Sequence, residues 1–240
     1  MISKIIRIIR EQVKLQRLSY LQLKELEWAH IFHDSIRGKS SLEKLPLNIG
    51  RWAGNYAFFY VLHRILSDFK PQNILEFGLG ESTKFTSTFI DNYIGECHHI
   101  IIEHSKEWEN LFTEKFSLSN NSEIKNIDLV EKQHKGFTYK GYNNIETIIT
   151  KTFDLYIIDG PLGSSRYSRF DIVSLAKKLN SDNQFIILFD DYERHSEKET
   201  VHELLDVLEK NNIPVKTKEF IGNKSVFVIA TSNCKYITSI

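Results

Sequence analysis

The spacing of hydrophobic positions changes once along the chain. Before about residue 70 they recur at helical intervals; from Gln72 onward, short β-branched or aromatic runs alternate with helical ones. Ile2, Ile5, Ile6, Ile9, Val13 and Leu18 predict an amphipathic helix over 1–24, and a second helical stretch reaches about Ile36. "RGKSSLEKLPLNIG" reads as a loop because Gly, Ser and Pro cluster there. "NYAFFYVLHRILSDF" (55–69) is apolar nearly all round, predicting a buried helix that Pro71 stops.

Five strands are predicted next: "NILEF" (73–77), "HHIIIE" (98–103), "NIDLVE" (126–131), "FDLYIID" (153–159) and "QFIILFD" (184–190). Helices are predicted between and after them at about 82–92, 106–117, 143–150, 165–179 and 196–211. Strands apolar throughout are buried on both faces, as in a parallel sheet covered by helices. "VKTKEFI" (215–221) and "SVFVIAT" (225–231), joined by "GNK", predict a closing antiparallel hairpin. The expected fold is α/β: a doubly wound, mostly parallel seven-stranded sheet with a C-terminal antiparallel hairpin. A helical N-terminal extension (1–70) would precede the α/β domain (71–240).

Charge changes this picture in one place. Lys+Arg and Asp+Glu both number 31, so no overall bias points to nucleic acid. Yet Lys4, Arg7, Arg10, Lys14, Arg17 and Lys24 face a single acid, Glu11, over 1–24. Such a helix suits a membrane surface, a partner chain (a second copy included), or docking on its own domain with a solvated basic face. Apolar runs such as "FIILF" are far shorter than the roughly 20 residues that span a bilayer. No signal-peptide pattern is expected, and Cys97 and Cys234 form no framework, so a reducing cytoplasm is the expected compartment.

Candidate chemistry begins at "ILEFGLGEST" (74–83), where a strand runs into a glycine turn that opens a helix. Gly78 and Gly80 permit positive φ and leave no Cβ between backbone and ligand. Ser82 or Thr83 can cap the helix that follows. Thr83 stands where a dinucleotide fingerprint has its third glycine, and no P-loop lysine is present. Glu103 ends the next strand about 20 residues on, where an acid accepts from ribose hydroxyls. Together they favour an adenosine-containing ligand over a tight connection beside a solvated strand end.

These residues resemble the Rossmann-like, class I S-adenosylmethionine-dependent methyltransferases over roughly residues 70–232. Glu76, Gly78 and Gly80 look like that family's first motif, Glu103 like its ribose-binding acid, and "DLYIIDGP" like its fourth-strand motif. The resemblance implies S-adenosylmethionine as cofactor, held by Glu76, Gly78, Gly80, Ser82, Thr83, Glu103 and Asp159. "ILEFGLGEST", "IIDGPLGSSRYSR" and "LFDDYER" resemble a bacterial branch associated with surface-polysaccharide clusters, and the plant enzymes that O-methylate glucuronic acid on xylan. That implies O-methylation of a saccharide or another small hydroxylated acceptor. Many members carry a further glycine where Glu81 or Ser82 stands here.

Methyl transfer from a sulfonium needs donor and nucleophile in line and a destination for the nucleophile's proton. Asp159, Asp190, Asp191 and His195 are the catalytic candidates. The three aspartates also resemble the acidic ligands of metal-dependent O-methyltransferases, for which Mg²⁺ would suit the oxygen donors. Arg166, Tyr167, Arg169, Tyr192 and Arg194 offer guanidinium forks and aromatic faces to an acidic sugar. His30 and His33 lack a third metal ligand, and His98 and His99 point to opposite faces of a strand. A nicotinamide-dependent oxidoreductase and a non-catalytic partner subunit are the alternative readings.

Overall fold

The computed structural model describes residues 2–50 and 52–240. Met1 and the side chain of Ile2, both part of the expected basic helix, lie outside the described residues. No glycine or proline interrupts 2–36, and the two helical stretches expected there form one 35-residue helix, α1 (Ile2–Ile36). Its first half does not dock on the domain: Ile5, Ile6, Ile9, Val13 and Leu18 are all exposed. Docking begins in the second half, where Trp28 packs against the core and Phe32 is buried. No helix among the described residues is long and apolar enough to cross a membrane.

One helical turn, α2 (Ser40–Glu43), interrupts the expected loop. Asn55 then caps α3 (Tyr56–Phe69), its side chain accepting from Phe58 N. Glu25 of α1 fastens this region together. Its Oε1 accepts from Tyr56 N (2.8 Å), and its Oε2 from Asn55 Nδ2 (2.7 Å) and Asn223 N (2.9 Å).

The sheet then builds from β1 (Asn73–Phe77), α4 (Glu81–Phe89, extended by a π turn to Ile94), β2 (His98–Glu103) and α5 (Lys106–Thr113). Next come β3 (Ser122–Asn126), β4 (Leu129–His134), β5 (Phe137–Tyr142) and α6 (Ile145–Ile148). The last elements are β6 (Leu155–Ile158), α7 (Asp171–Ala176), β7 (Ile186–Phe189), α8 (His195–Lys210), β8 (Val215–Ile221), β9 (Ser225–Thr231) and a 3₁₀ segment to Ser239. Seven strands run in the order β3-β2-β1-β6-β7-β9-β8. β9 runs opposite to the other six strands of this sheet, through its antiparallel pairs with β7 and β8. The expected doubly wound sheet with a C-terminal hairpin is therefore present.

Each central strand feeds two cores because successive side chains alternate between faces. Ile74, Leu155, Ile157, Ile186 and Leu188 pack with α1, α3 and α4. Leu75, Phe77, Tyr156, Ile158 and Ile187 pack on the opposite face with α7 and α8.

The third strand differs from expectation. "SEIKN" (122–126) pairs with β2, whereas 129–134 leaves the sheet to form a separate hairpin with 137–142. β3 is an edge strand, and Ile124 is its one apolar residue. The hairpin turns on Lys135 (φ 50°) and Gly136 (φ 82°), the two positive angles of a tight two-residue turn. The helix expected over 165–179 shrinks to α7, because Tyr167 (φ 50°) and Arg169 (φ 59°) are left-handed. The helix expected over 143–150 shrinks to the single turn α6.

Candidate functional site

The chain winds outward from β1 through β2 to β3, then crosses back to β6. The switch point therefore lies between β1 and β6, beyond their carboxyl ends, where open α/β sheets bind ligands. A cleft of about 650 Å³ opens there. Its floor is the turn Gly78–Leu79–Gly80 with Asp159 and Gly160. Glu103 and Trp108 form one wall, Asn48, Trp52 and Ala53 another, and Arg169, Asp191 and Arg194 the far end.

At the turn, one glycine answers to each of the two expected roles. Gly78 has φ +98°, and a Cβ there would stand 3.3 Å from Gly160 N. Gly80 is extended at φ −173°, so positive φ is not its role; a Cβ there would meet open space in the cleft. Thr83 Oγ1 accepts from Gly80 N (3.0 Å), which starts α4. Ser82 caps nothing: its hydroxyl donates to Glu76 Oε1 (2.5 Å), as does that of Thr83 (3.0 Å).

Glu76, Ser82 and Thr83 are buried beneath the turn and do not line the cleft. The other Glu76 oxygen lies 2.9 Å from His99 Nε2, whose Nδ1 lies 3.0 Å from Ser122 Oγ. A polar row thus runs across β1, β2 and β3 under the glycine turn and holds it in place.

Glu103 does line the cleft. Oε1 accepts from the backbone N–H groups of His104 and Ser105 (both 2.7 Å), and Oε2 from Leu79 N (3.2 Å). A carboxylate oxygen has two lone pairs, so Oε2 keeps one for a ligand hydroxyl. Trp108, which the sequence reading passed over, stands beside it. Its indole N–H donates to Leu79 O (2.7 Å), presenting the ring at the cleft wall.

The far end is a buried charge cluster. One oxygen from each of Asp159, Asp190 and Asp191 lies within 4.8 Å of the others. Arg169 Nη2 reaches Asp159 Oδ1 (3.3 Å) and Asp191 Oδ2 (2.7 Å), while Nη1 donates to Asp190 O (2.9 Å). Lys224, from the turn between β8 and β9, sets Nζ 3.2 Å from Asp190 Oδ2 and 3.0 Å from Asp191 Oδ1. Arg194 Nη1 lies 3.0 Å from Asp191 Oδ2.

Burial and the neighbouring Asp190 push the Asp159 carboxyl well above its usual range. Burial likewise raises Asp190, with Asp191 adding to the effect. Burial would raise Asp191 too, but Arg169 and Lys224 outweigh it and hold this carboxyl below its ordinary value. Lys224 is raised: burial opposes its charge, and Asp190, Asp191 and Asp159 prevail.

Several expected acceptor groups turn elsewhere. Arg166 pairs with Glu199 and lies over the Phe137 ring at 4.0 Å. Tyr167 packs edge-on against His134, with ring centres 4.7 Å apart. Tyr192 stacks on Phe227 at 4.2 Å. His195 is exposed, 3.2 Å from Glu199, and does not line the cleft. Arg169 and Arg194 are the two arginines of the expected set that line it.

No family model matches the sequence, and no curated protein matches it. Solved structures do. The O-methyltransferase from Bacillus cereus, in complex with SAH, aligns with 90% of this chain and 100% of its own, at 12% identity and TM-score 0.51. The O-methyltransferase TomG from Streptomyces achromogenes, involved in tomaymycin synthesis and in complex with SAM, covers 89% of this chain and 97% of its own, at 11% identity and TM-score 0.51. The fold is that of the Rossmann-like methyltransferases.

Proposed function

We propose that the chain is an S-adenosylmethionine-dependent methyltransferase that O-methylates a small hydroxylated acceptor of saccharide type. One observation carries this reading: Glu103 and the Gly78–Gly80 turn meet in one cleft at the switch point of the sheet. The free lone pair of Glu103 Oε2 would accept from a ribose hydroxyl, and the open side of Gly80 would leave room for the methionine portion. Trp108 offers a face to the adenine. The two solved structures are of SAH- and SAM-bound proteins, which supports the choice of donor.

The acceptor enters at the Arg194 end, where a half-exposed guanidinium suits a uronate or phosphate group. Its hydroxyl oxygen attacks the methyl carbon in line. As the new C–O bond forms, the methyl–sulfur bond breaks, and the acceptor's proton passes to Asp159, which lines the cleft. A carboxyl held above the usual range is the better proton acceptor of the cluster.

Calorimetric titration with S-adenosylmethionine, S-adenosylhomocysteine and NAD tests the reading, with Glu103→Ala as control. Saturable binding of the two sulfur compounds, weakened about 10- to 100-fold in the variant as expected for hydrogen bonds to a charged group, is the expected result. Failure to bind either sulfur compound sinks it, and NAD binding instead would promote an oxidoreductase.

A further inference from the structure

Three carboxylates at the ends of β6 and β7 form an arrangement that could hold a divalent ion, and the structure has placed three cations of its own against them: Lys224, Arg169 and Arg194. Lys224 is the informative one. It comes from the Gly222–Lys224 turn of the last hairpin, 33 residues beyond Asp191. Its ammonium contacts a carboxylate oxygen on each of two adjacent aspartates and donates to Ala53 O at 2.9 Å. Arg169 occupies the remaining approach, touching Asp159 and the second oxygen of Asp191 while bonding Ile158 O and Asp190 O.

A hard divalent ion takes carboxylate oxygens at about 2.0–2.6 Å in an otherwise anionic or neutral shell. Here both oxygens of Asp191, one of Asp190 and one of Asp159 already face a cation. Asp190 Oδ1 is buried without a hydrogen-bond partner, yet an ion reaching it among the three carboxylates would sit against the ammonium of Lys224 and the guanidinium of Arg169, so the donor set does not fit a metal. Arg169 is 5% exposed and its guanidinium is anchored on two backbone carbonyls, which leaves it little room to withdraw.

We infer that the Asp159–Asp190–Asp191 cluster is locked by Lys224 and Arg169 in place of a divalent ion, and that Lys224 positions a metal-independent methyl-transfer site. The second half of this inference rests on the function proposed above; the first does not. Lys224 acts through other groups. It holds Asp191 at the end of the cleft and Ala53 on the cleft wall, and so ties the closing hairpin to both.

The test uses the full chain without ligand, titrated with Mn²⁺ and followed by electron paramagnetic resonance. The wild-type chain is expected to show no saturable site up to about 1 mM, the weak end of oxygen-ligand cation sites. Lys224→Met uncovers the carboxylates and is expected to bind Mn²⁺ at least about tenfold more tightly than wild type, a gain that Asp190→Asn in the same chain removes. One Mn²⁺ per wild-type chain at submillimolar affinity, lost in Asp190→Asn alone, would overturn the inference whether or not Lys224→Met folds. A folded Lys224→Met chain that gains no Mn²⁺ would remove Lys224 from it. Where methyl transfer is measurable, EDTA is expected to change the rate less than twofold, and a larger loss counts against metal independence. Donor binding is read separately by calorimetry, so a failed donor site and a metal-bound cluster give different results.

Discussion

His99 Nε2 stands 2.9 Å from Oε2 of Glu76, and neither side chain has any solvent-exposed surface. The pair sits on adjacent parallel strands directly beneath the glycine turn, with Ser82, Thr83 and Ser122 completing it. Removing one partner of a buried pair leaves the other uncompensated. Glu76→Ala should therefore cost about 3–5 kcal/mol in a denaturant unfolding curve. Glu76→Gln keeps an acceptor oxygen for Ser82 and Thr83 and should cost less. Unfolding midpoints for Glu76→Ala equal to wild type would show that the row does not hold the turn.

The glycines of the cleft floor separate folding from binding. A Cβ on Gly160 would lie 2.9 Å from both Cα and N of Gly78, where no flexible side chain can yield. Gly160→Ala should lose about 1–3 kcal/mol of stability, as overpacked sites do. Gly80 is extended and its Cβ would meet nothing within 4 Å. Gly80→Ala should stay within about 0.5 kcal/mol of wild type, yet lose donor affinity because the methyl enters the cleft. Thermal unfolding and calorimetry on both variants separate the two effects.

Arg194 supplies the handle for acceptor charge. Replacing it by Met should raise KM for an anionic acceptor about 10- to 100-fold, the worth of a charge-assisted hydrogen bond. Donor affinity and KM for a neutral acceptor should hold. Equal losses for neutral and anionic acceptors would argue that Arg194 merely braces Asp191.

His63 sets an acid limit on stability. It is buried in α3 between Phe85 and Phe89, and burial, helped by Lys39 and Arg64, lowers its pKa to about 4 from 6.5. The unfolded chain takes up a proton below 6.5 that the native chain refuses until about 4, so this contribution is full above 6.5 and lost as pH falls through that window. The loss approaches about 3 kcal/mol at 1.36 kcal/mol per unit. Chemical unfolding at pH 7, 5.5 and 4 should show it, and His63→Leu should flatten that part of the profile.

What the sequence disclosed follows from burial. Strands covered on both faces are continuous apolar runs and stood out; β3, an edge strand with Ile124 as its lone apolar residue, did not. Glu103 was legible because it ends such a run at a telling distance from the glycines. The direction of loop side chains was not legible, since a distant partner sets it: Glu199 draws Arg166 and His195 away from the cleft, and Phe227 holds Tyr192. Lys224 lies 34 residues from Asp190, and no spacing rule joins a hairpin turn to a strand end.

The contacts of Glu25 anchor α1 on the domain. Its exposed arm, residues 4–24, extends about 30 Å at 1.5 Å per residue. At its base the Glu25 carboxylate accepts from Asn223 N on one side and from Asn55 Nδ2 and Tyr56 N on the other. Asn223 adjoins Lys224, and Ala53 lies two residues before Asn55. At Glu25 the helix is joined to the same two segments that Lys224 joins.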